Sequence, residues 1–439
     1  MDWQDEYKSK LITAAEAAAM IKSGDRVLIP PVSDPPALCT ALVARKKDLK
    51  GVEITMGGVP AHDAGWYNPG DEASFPLKVY FTGSLTRRML DAKKADFVPF
   101  TYSVMDKPLR QERPDRQQWD WFLQVFSPPD KYGYCSYGNQ IWWRKSMKGA
   151  CKKIIGEIDA NLIRTYGENY IHVSEIDYFV ENTQPRPEPV LPLEIFDHSQ
   201  PIADYVSTLV KDGDTLQMGT GTATDAMALL GAFDNKHDLG VHSELTTHGM
   251  IDLVKNGIIN GKRKTINTGK VVATCFWPEP GALDYVDMNP MFELYDVSYT
   301  NNPRVIAAHD NMVSINTVLT IDLSGQIVND SIGQRMWSAP GGQLDFCLGA
   351  TYSRGGRYIA VLPSTVEVKG QKKSRIVPQL DLGSYVMIPR VLTDIVVTEY
   401  GIARLLNKSY RERANELIAI AHPDFRAELK KAAQKLHYS

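Results

Sequence analysis

The chain has 439 residues, of which 43% are hydrophobic and 23% charged, and its formal net charge is −3. This length suits two domains that each bury a core, and this composition excludes a disordered or fibrous chain. The lack of a positive field argues against nucleic acid as a partner, and the polar N-terminus and the absence of an apolar stretch of roughly 18 residues favour a cytoplasmic protein without membrane contact.

The first predicted element is a helix that begins near Thr13. Glu16 follows three residues later, which is the spacing of a capping box, and an alanine-rich run comes next. The segment around Gly24 and Asp25 then predicts a turn, a short apolar strand, a loop at residues 30–36, a second helix and a further strand. This alternation is typical of an α/β domain.

A proline-rich segment, ENTQPRPEPVLPLE at residues 181–194, interrupts this pattern. Proline at this density favours a stiff, extended connector over a helix or a strand. We therefore predict a domain boundary here, with residues 1–188 forming an N-terminal α/β domain and residues 189–439 forming a C-terminal α/β domain.

A weak internal repeat relates the two sides of this connector. At an offset of about 189 residues, without a gap, Gly24 pairs with Gly213, Asp25 with Asp214, and Gly51 with Gly240. Each copy reads as helix, Gly-Asp turn, strand, loop, helix and strand. The expected fold class is therefore α/β, with two related open α/β domains.

The two copies differ in the loop after the first strand. The first copy is rich in proline at residues 30–36, whereas the second has Gly219 and Gly221 in GTGTATD. Proline removes backbone N–H donors and glycine lets a ligand approach them, so only the second loop is expected to hold an anion or a thioester oxygen, aided by the N-terminus of the helix predicted after it. At the end of the next strand stands Glu244, which the ungapped repeat places opposite Thr55.

The position of the loop and of Glu244 indicates a ligand cleft, because ligands of open α/β sheets bind beyond the carboxyl ends of the strands. Taken singly, these signals have ordinary explanations as a turn and as a surface acid. A dinucleotide loop would need a third glycine where the chain has Thr224. The histidines lack the spacing of a zinc site, and no Gly-x-Ser-x-Gly motif supports a serine nucleophile.

Two later segments could serve the same ligand. Gly341, Gly342 and Gln343 open a second flexible stretch whose backbone donors could approach a reacting carbonyl, although a tight turn is the ordinary interpretation. The basic run at residues 368–375, which contains Lys372, could offset phosphate charge or form a solvated loop.

Several motifs, in this order, resemble the acetyl-CoA hydrolase/transferase family. They span nearly the whole chain and include YIHVSEIDY at residues 170–178, GTGTATD at residues 219–225, HSE at residues 242–244, GGQLDF at residues 341–346, SRIVP at residues 374–378, VTEYGIA at residues 397–403 and AHPDFR at residues 421–426. The resemblance implies a CoA-transferase-like fold and an enzyme that takes coenzyme A as a substrate, with no prosthetic group and no metal. It also implies a homodimer or a dimer of dimers.

The resemblance further implies roles for individual residues. Glu244 would be the nucleophile of a ping-pong reaction that moves CoA between short-chain carboxylic acids, from acyl-CoA of the 4-hydroxybutyrate, butyrate or propionate type to acetate, through a glutamyl-CoA thioester. An unperturbed glutamate has a pKa of about 4.3 and would need no general base. His62 and His172 are candidates for shaping the acid pocket. The resemblance implies CoA contacts at Gly221, Thr222, Ala223, Thr224 and Asp225, and at Gly342 with its neighbours Gly341 and Gln343. The glycine loop and the basic run add Gly219 and Lys372 to the expected CoA contacts.

Two alternative functions remain open at the level of sequence. An acyl-CoA hydrolase would use the same glutamyl intermediate with water as the final acceptor. A non-catalytic sensor of CoA or nucleotides would keep the cleft but would have no use for Glu244.

Overall fold

The computed structural model describes residues 2–105, 107–109, 113–182, 193–221, 223–277, 281–436 and 438. The chain forms two compact units, of which the first comprises Met1–Val190, Thr274–Tyr299 and Met336–Ala339, and the second comprises Leu191–Ala273, Thr300–Arg335 and Pro340–Ser439. Both are built from helices and parallel sheets, which confirms the expected α/β fold class. The boundary predicted at residues 188 and 189 lies outside the described residues and stays a prediction.

The elements up to residue 182 are the following. Their bounds are α1 (Trp3–Ser9), α2 (Ala14–Met20), β1 (Arg26–Ile29), α3 (Pro36–Ala44), β2 (Glu53–Met56), β3 (Leu77–Val79), α4 (Ser84–Asp91), β4 (Ala95–Phe97), β5 (Trp119–Phe126), β6 (Tyr134–Ser136), α5 (Arg144–Lys148), β7 (Cys151–Ile158), β8 (Tyr166–Gly167), β9 (Tyr170–His172) and β10 (Tyr178–Glu181). The predicted capping box at the start of α2 is confirmed, since Thr13 and Glu16 each accept a hydrogen bond from the backbone of the other.

The elements after residue 193 follow in chain order. Their bounds are α6 (Ser199–Leu209), β11 (Thr215–Met218), β12 (Gly240–His242), α7 (Met250–Lys255), β13 (Val271–Ala273), α8 (Leu283–Val286), β14 (Phe292–Leu294), α9 (Val297–Thr300), α10 (Pro303–Ala307), β15 (Met312–Thr317), β16 (Thr320–Asp322), β17 (Ile327–Val328), β18 (Ser331–Ile332), β19 (Arg335–Met336), α11 (Gln343–Tyr352), β20 (Arg357–Val361), β21 (Thr365–Val368), β22 (Gln371–Ser374), β23 (Ile376–Val377), β24 (Ile395–Thr398), β25 (Gly401–Arg404), α12 (Tyr410–Ala419) and α13 (Pro423–Lys435). Each helix among the described residues is too short or too polar to cross a bilayer.

The two units share a sheet topology. In the first unit the parallel strands lie in the order β10-β7-β5-β1-β2-β3-β4, so the chain runs outward from β1 to β4 and then returns to β5 on the other side of β1. In the second unit the order β25-β24-β20-β15-β11-β12-β13 repeats this plan around β11, with only β25 antiparallel to its neighbour. Each sheet thus has a switch point, between β1 and β5 or between β11 and β15, where a ligand crevice is expected.

The repeated Gly-Asp turn has the same structure in both units. The Asp25 carboxylate accepts a hydrogen bond from the Lys22 N–H at 2.9 Å, and the Asp214 carboxylate accepts one from the Lys211 N–H at 2.6 Å. The glycine that precedes each aspartate has a positive φ, 85° and 79° respectively. The repeat in the sequence therefore reflects a real structural repeat at this turn.

The offset of 189 residues holds through the first strand, Arg26–Ile29 and Thr215–Met218, but it is wrong at the second strand. The N–H of Glu53 donates to the Asp25 carbonyl, whereas the N–H of Gly240 donates to the Asp214 carbonyl, each at 2.9 Å. Gly240 thus takes the place of Glu53, so the second copy is two residues shorter here. Glu244 accordingly matches Gly57 and not Thr55, because backbone hydrogen bonding sets the strand register.

The helix predicted after the glycine loop is also corrected. In the first unit α3 follows the loop, but residues 223–235 of the second unit form successive turns. The carbonyl of Gly221 accepts from the N–H groups of both Thr224 and Asp225, and the Thr224 hydroxyl lies 3.3 Å from the same oxygen. The Thr224 N–H bond has the three-residue spacing of a 3-10 turn and the Asp225 N–H bond has the four-residue spacing of an α-helix, so the segment mixes the two and is not a regular helix.

Candidate active site

The glycine loop and Glu244 lie at the same edge of the second unit's sheet. The loop follows β11, and Glu244 follows β12. These strands are parallel neighbours, with Thr215 opposite Gly240 and Leu216 opposite Val241. Because adjacent strands are about 4.8 Å apart, their carboxyl ends bring the loop and Glu244 beside each other.

The Glu244 carboxylate is held by two donors. The Asn301 amide nitrogen Nδ2 donates to Glu244 Oε2 at 2.8 Å, and the backbone N–H of Gly342 also donates to the carboxylate. The Glu244 side chain is half-buried, so part of it remains accessible. The Glu244 carboxylate is thus held in one orientation at the carboxyl end of β12.

The protonation state of Glu244 differs from the sequence-based expectation. The pKa of Glu244 is raised to about 7, chiefly by burial and also by the negative charge of Asp345, against the Asn301 and Gly342 hydrogen bonds that lower it. An acid with this pKa is about half ionised at neutral pH, where an unperturbed glutamate would be fully ionised. Perturbation of this kind is common at functional sites.

Gly342 allows this arrangement because it has no side chain. It precedes α11, and a Cβ atom at this position would overlap both Glu244 Oε2 and Asn301 Nδ2. The next residue, Gln343, points its amide into the protein, where it donates to the Tyr358 hydroxyl at 2.7 Å and accepts from Asn329 at 2.8 Å. Any contact of Gln343 with a ligand would therefore use its backbone.

Asn301 is a site residue that the sequence interpretation missed. The Thr300 hydroxyl donates to Asn301 Oδ1 at 2.9 Å, which leaves Nδ2 to face Glu244. The nearby Asn302 and Pro303 signal the start of α10, where Asn302 caps the helix. No local pattern connects this segment with Glu244, which is 57 residues earlier in the chain than Asn301.

The glycine loop packs closely against the end of β15. A Cβ at Gly219 would lie 2.5 Å from Asn316 Oδ1, and one at Gly221, whose φ is 142°, would lie 2.7 Å from Thr317 Oγ1. The buried Thr224 hydroxyl lies 3.0 Å from the Thr317 hydroxyl. The loop thus occupies the switch point between β11 and β15.

The remaining residues of the loop were also predicted to contact CoA. Thr222 lies outside the described residues, and Ala223 is buried. Asp225 is half-buried; burial raises its pKa to about 6 against the Gly221 N–H and the charge of His248, which lower it. Ala223 can therefore offer a ligand only its backbone, whereas Asp225 keeps a carboxyl group at the loop.

Lys372 and the two histidine candidates lie on other elements. Lys372 is exposed on the β21–β22 hairpin, where its Nζ lies 3.4 Å from His422 Nε2 and 3.8 Å from Asp424. His62 is half-buried in the first unit. His172 caps the 3-10 turn at Val173–Glu175, since its Nδ1 accepts from the Ser174 N–H.

The described residues hold no group of three or more His, Cys, Asp or Glu side chains suited to a metal ion.

Comparison with known proteins places the chain in a family. Residues 1–192 match the acetyl-CoA hydrolase/transferase N-terminal domain, and residues 281–433 match the C-terminal domain of the same family. The chain is 42% identical over 438 residues, 99% of its length and 100% of the relative, to the 4-hydroxybutyrate coenzyme A transferase of Clostridium kluyveri. It is 35% identical over 440 residues, 99% of its length and 97% of the relative, to the succinyl-CoA:cyclohexane-1-carboxylate CoA transferase of Geobacter metallireducens.

Solved structures agree with this assignment. The structure of RipA from Yersinia pestis matches with a TM-score of 0.90 at 32% identity and covers 100% of both chains. That of a 4-hydroxybutyrate CoA-transferase from Porphyromonas gingivalis matches with a TM-score of 0.80 at 32% identity, over 99% of this chain and 100% of that one. The chain belongs to the acetyl-CoA hydrolase/transferase family and is an enzyme of the CoA-transferase class.

Proposed function

We propose that Glu244 is a covalent nucleophile that moves CoA between two short-chain carboxylic acids. The observation that carries this proposal is the Glu244 carboxylate itself, held by the Asn301 amide and the Gly342 N–H beside a glycine loop. A half-buried acid whose pKa is raised to about 7 does not stabilise the fold. A nucleophile, in contrast, needs to be oriented and partly removed from water, as Glu244 is.

The reaction begins with attack of a Glu244 carboxylate oxygen on the acyl-CoA carbonyl carbon. The carbon–sulfur bond breaks, which gives a mixed anhydride and the CoA thiolate. The thiolate then attacks the Glu244 carbonyl carbon, and the first acid leaves as a carboxylate with the electron pair of the broken carbon–oxygen bond. The glutamyl-CoA thioester that results conserves the thioester, and an incoming carboxylate reverses the two steps. No proton is gained or lost overall, and the kinetics are ping-pong.

A backbone donor serves this chemistry at the tetrahedral oxyanion formed on Glu244. The N–H of Gly342 already points to the Glu244 carboxylate, and one preorganised donor is worth about 3 kcal/mol in such reactions. Gly219, Gly221, Thr222, Ala223, Thr224 and Asp225 would line the CoA site, in which the N–H groups of Gly219 and Thr224 donate to the carbonyls of Ile315 and Gly221. Lys372 would meet a phosphate of CoA.

We propose acyl-CoA of the 4-hydroxybutyrate, butyrate or propionate type as the donor and acetate as the acceptor. Support comes from relatives, since the Clostridium kluyveri protein is named for 4-hydroxybutyrate and a relative from Anaerostipes caccae, 33% identical over 99% of this chain, is named butyryl-CoA:acetate CoA-transferase. The resemblance to this family also supports a homodimer or a dimer of dimers, which light scattering of the purified protein would test.

Mass spectrometry after mixing with butyryl-CoA tests the nucleophile. In the absence of acceptor, borohydride should reduce the glutamyl-CoA thioester to an alcohol on the peptide that contains Glu244. Glu244→Gln should give no such product, while Glu428→Gln, at an exposed acid of α13, should behave as wild type. A modified peptide elsewhere, or none at all, would contradict the proposal.

A further inference from the structure

His242 is the last residue of β12 and stands two positions before Glu244. Its side chain is completely buried, and its ring has no direct contact with the reacting carboxylate in the hydrogen bonds described above. Burying a polar ring is unfavourable unless the ring forms hydrogen bonds, so the contacts of His242 call for an explanation.

One contact of His242 begins a chain of hydrogen bonds that ends at Glu244. His242 Nε2 lies 2.9 Å from the Thr300 carbonyl oxygen, and because a carbonyl can only accept, Nε2 carries the hydrogen. The hydroxyl of the same Thr300 donates to Asn301 Oδ1, and Asn301 Nδ2 donates to Glu244 Oε2. The Thr300 residue therefore joins the histidine to the amide that orients the nucleophile.

The His242 ring also packs against the helix that begins beside Glu244. The ring centroid lies 6.4 Å from that of Phe346 in α11, the helix preceded by Gly342. The His309 ring lies at 4.6 Å, and Lys264 Nζ donates to the carbonyl of Val241, the residue before His242, at 2.8 Å. His242 lies in β12, the strand before Glu244, and contacts the Thr300–Asn301 segment and α11. These segments hold the Glu244 carboxylate and its two donors, Asn301 and Gly342.

The charge state of His242 suits a fixed donor. Burial, His309 and Lys264 hold its pKa well below the ordinary range, against the Thr300 hydrogen bond, which raises it. The ring therefore stays neutral at physiological pH, with its single N–H directed to Thr300. The other buried histidine of the pair differs, since neither ring nitrogen of His309 has a hydrogen-bond partner among the described residues.

We infer that His242 is a positioning residue for the proposed nucleophile: its N–H fixes the Thr300 carbonyl and so keeps the Asn301 amide against Glu244. The inference rests on the proposed function, because the orientation of Glu244 affects turnover only if Glu244 reacts. His242 acts through Thr300 and Asn301.

Replacing His242 by phenylalanine tests the donor while keeping a buried ring. His242→Phe should lower kcat for butyryl-CoA and acetate about 10-fold, the size expected for one lost hydrogen bond, with KM for butyryl-CoA within about twofold. The acidic limb of the kcat/KM profile for butyryl-CoA should move to higher pH by about half a unit or more, because a displaced Asn301 no longer favours ionised Glu244. The matched control is His309→Phe, the same substitution at the neighbouring ring, whose nitrogens have no hydrogen-bond partner among the described residues, and it should leave kcat within about twofold.

A double variant separates positioning from a general loss of packing. In an Asn301→Ala background, His242→Phe should cause no further shift of the acidic limb, because the two residues act through one amide. His242→Gln, which keeps an N–H donor, should recover at least half of the shift. If circular dichroism shows that His242→Phe is unfolded, His242→Leu, which also lacks the donor, replaces it in the test. Additive shifts of the acidic limb in the double variant, or equal shifts in His242→Phe and His242→Gln, would overturn the inference.

The borohydride experiment distinguishes the two levels of the proposal. If wild-type protein forms no adduct on Glu244, the proposed function itself fails. If wild type forms the adduct and His242→Phe has the kcat and pH profile of wild type, only the role of His242 fails.

Discussion

Glu244 is a carboxylate whose ionisation the fold makes unfavourable. Its pKa is raised to about 7, chiefly by burial and also by the negative charge of Asp345, while the hydrogen bonds from Asn301 and Gly342 partly compensate. A carboxylate that is partly removed from water is a stronger base and nucleophile once it is ionised. The same desolvation costs stability above that pKa, so reactivity and stability are opposed at this one residue.

Removing the charge should therefore stabilise the protein at alkaline pH. The pKa of Glu244 is raised on folding from 4.5 to about 7, so the cost of its charge is absent below the unfolded pKa and is fully present above the folded pKa. Glu244→Gln should raise the free energy of unfolding by about 1–3 kcal/mol at pH 8 and by almost nothing at pH 4. Thermal unfolding at the two pH values measures this difference, and an equal gain at both would contradict the assigned cause.

The Asn301 amide should set the acidic limb of activity. Because its hydrogen bond lowers the pKa of Glu244, Asn301→Ala should move the limb to higher pH and lower kcat/KM at pH 7 by about 10- to 100-fold. The pH dependence of kcat/KM is the measurement. Asn302→Ala is the matched control, since Asn302 caps α10 and its loss should cost about 1 kcal/mol of stability without moving the limb.

Sequence and structure differ in what they reveal at this scale. The strand before Glu244 and the glycine loop could be predicted, because their signals are local patterns of apolar residues and glycine. Asn301 could not be predicted, because it reaches Glu244 only through the fold. The pKa of Glu244 was also beyond the sequence, since it depends on burial and on Asp345, a residue from α11.

At the scale of elements, two features determine the geometry of the candidate site: where α11 begins, and how the glycine loop packs on β15. The capping box of α2 could be predicted because it involves two residues three positions apart. The helix expected after the glycine loop does not form as a regular element, and residues 223–235 are successive turns instead. The close packing of the glycine loop against the end of β15 is a tertiary contact that local helix propensity does not include.

The start of α11 should tolerate no side chain at Gly342. A methyl group there would overlap Glu244 Oε2 and Asn301 Nδ2, so Gly342→Ala should displace the carboxylate and lower kcat at least about 100-fold. Steady-state kinetics with butyryl-CoA and acetate give the result, and circular dichroism should show a folded protein. In the control Gly149→Ala, the nearest heavy atom to the new Cβ is 3.7 Å away, and activity should be unchanged. Wild-type kcat in Gly342→Ala would contradict the assigned geometry.

At the scale of the molecule, one topology appears twice but only one copy carries the candidate chemistry. In both sheets the order of the strands reverses beside the first strand, and in both the first strand follows the same Gly-Asp turn. The first copy has a proline-rich loop and Gly57 at the positions where the second has the glycine loop and Glu244. The repeat could be read from the sequence, whereas its two-residue register change became visible only from the hydrogen bonds.

The division of the reaction into two half-reactions leads to a prediction for the whole enzyme. A glutamyl-CoA thioester conserves the free energy of the substrate only if a carboxylate, and not water, attacks it. Acetate should therefore accelerate the loss of butyryl-CoA, and acetyl-CoA should form in an amount equal to the butyryl-CoA consumed. Chromatography of the CoA esters measures the stoichiometry, and parallel double-reciprocal plots should show the ping-pong order. Glu244→Gln should abolish both effects of acetate. Steady release of free CoA that acetate does not suppress would instead identify a hydrolase that shares the intermediate.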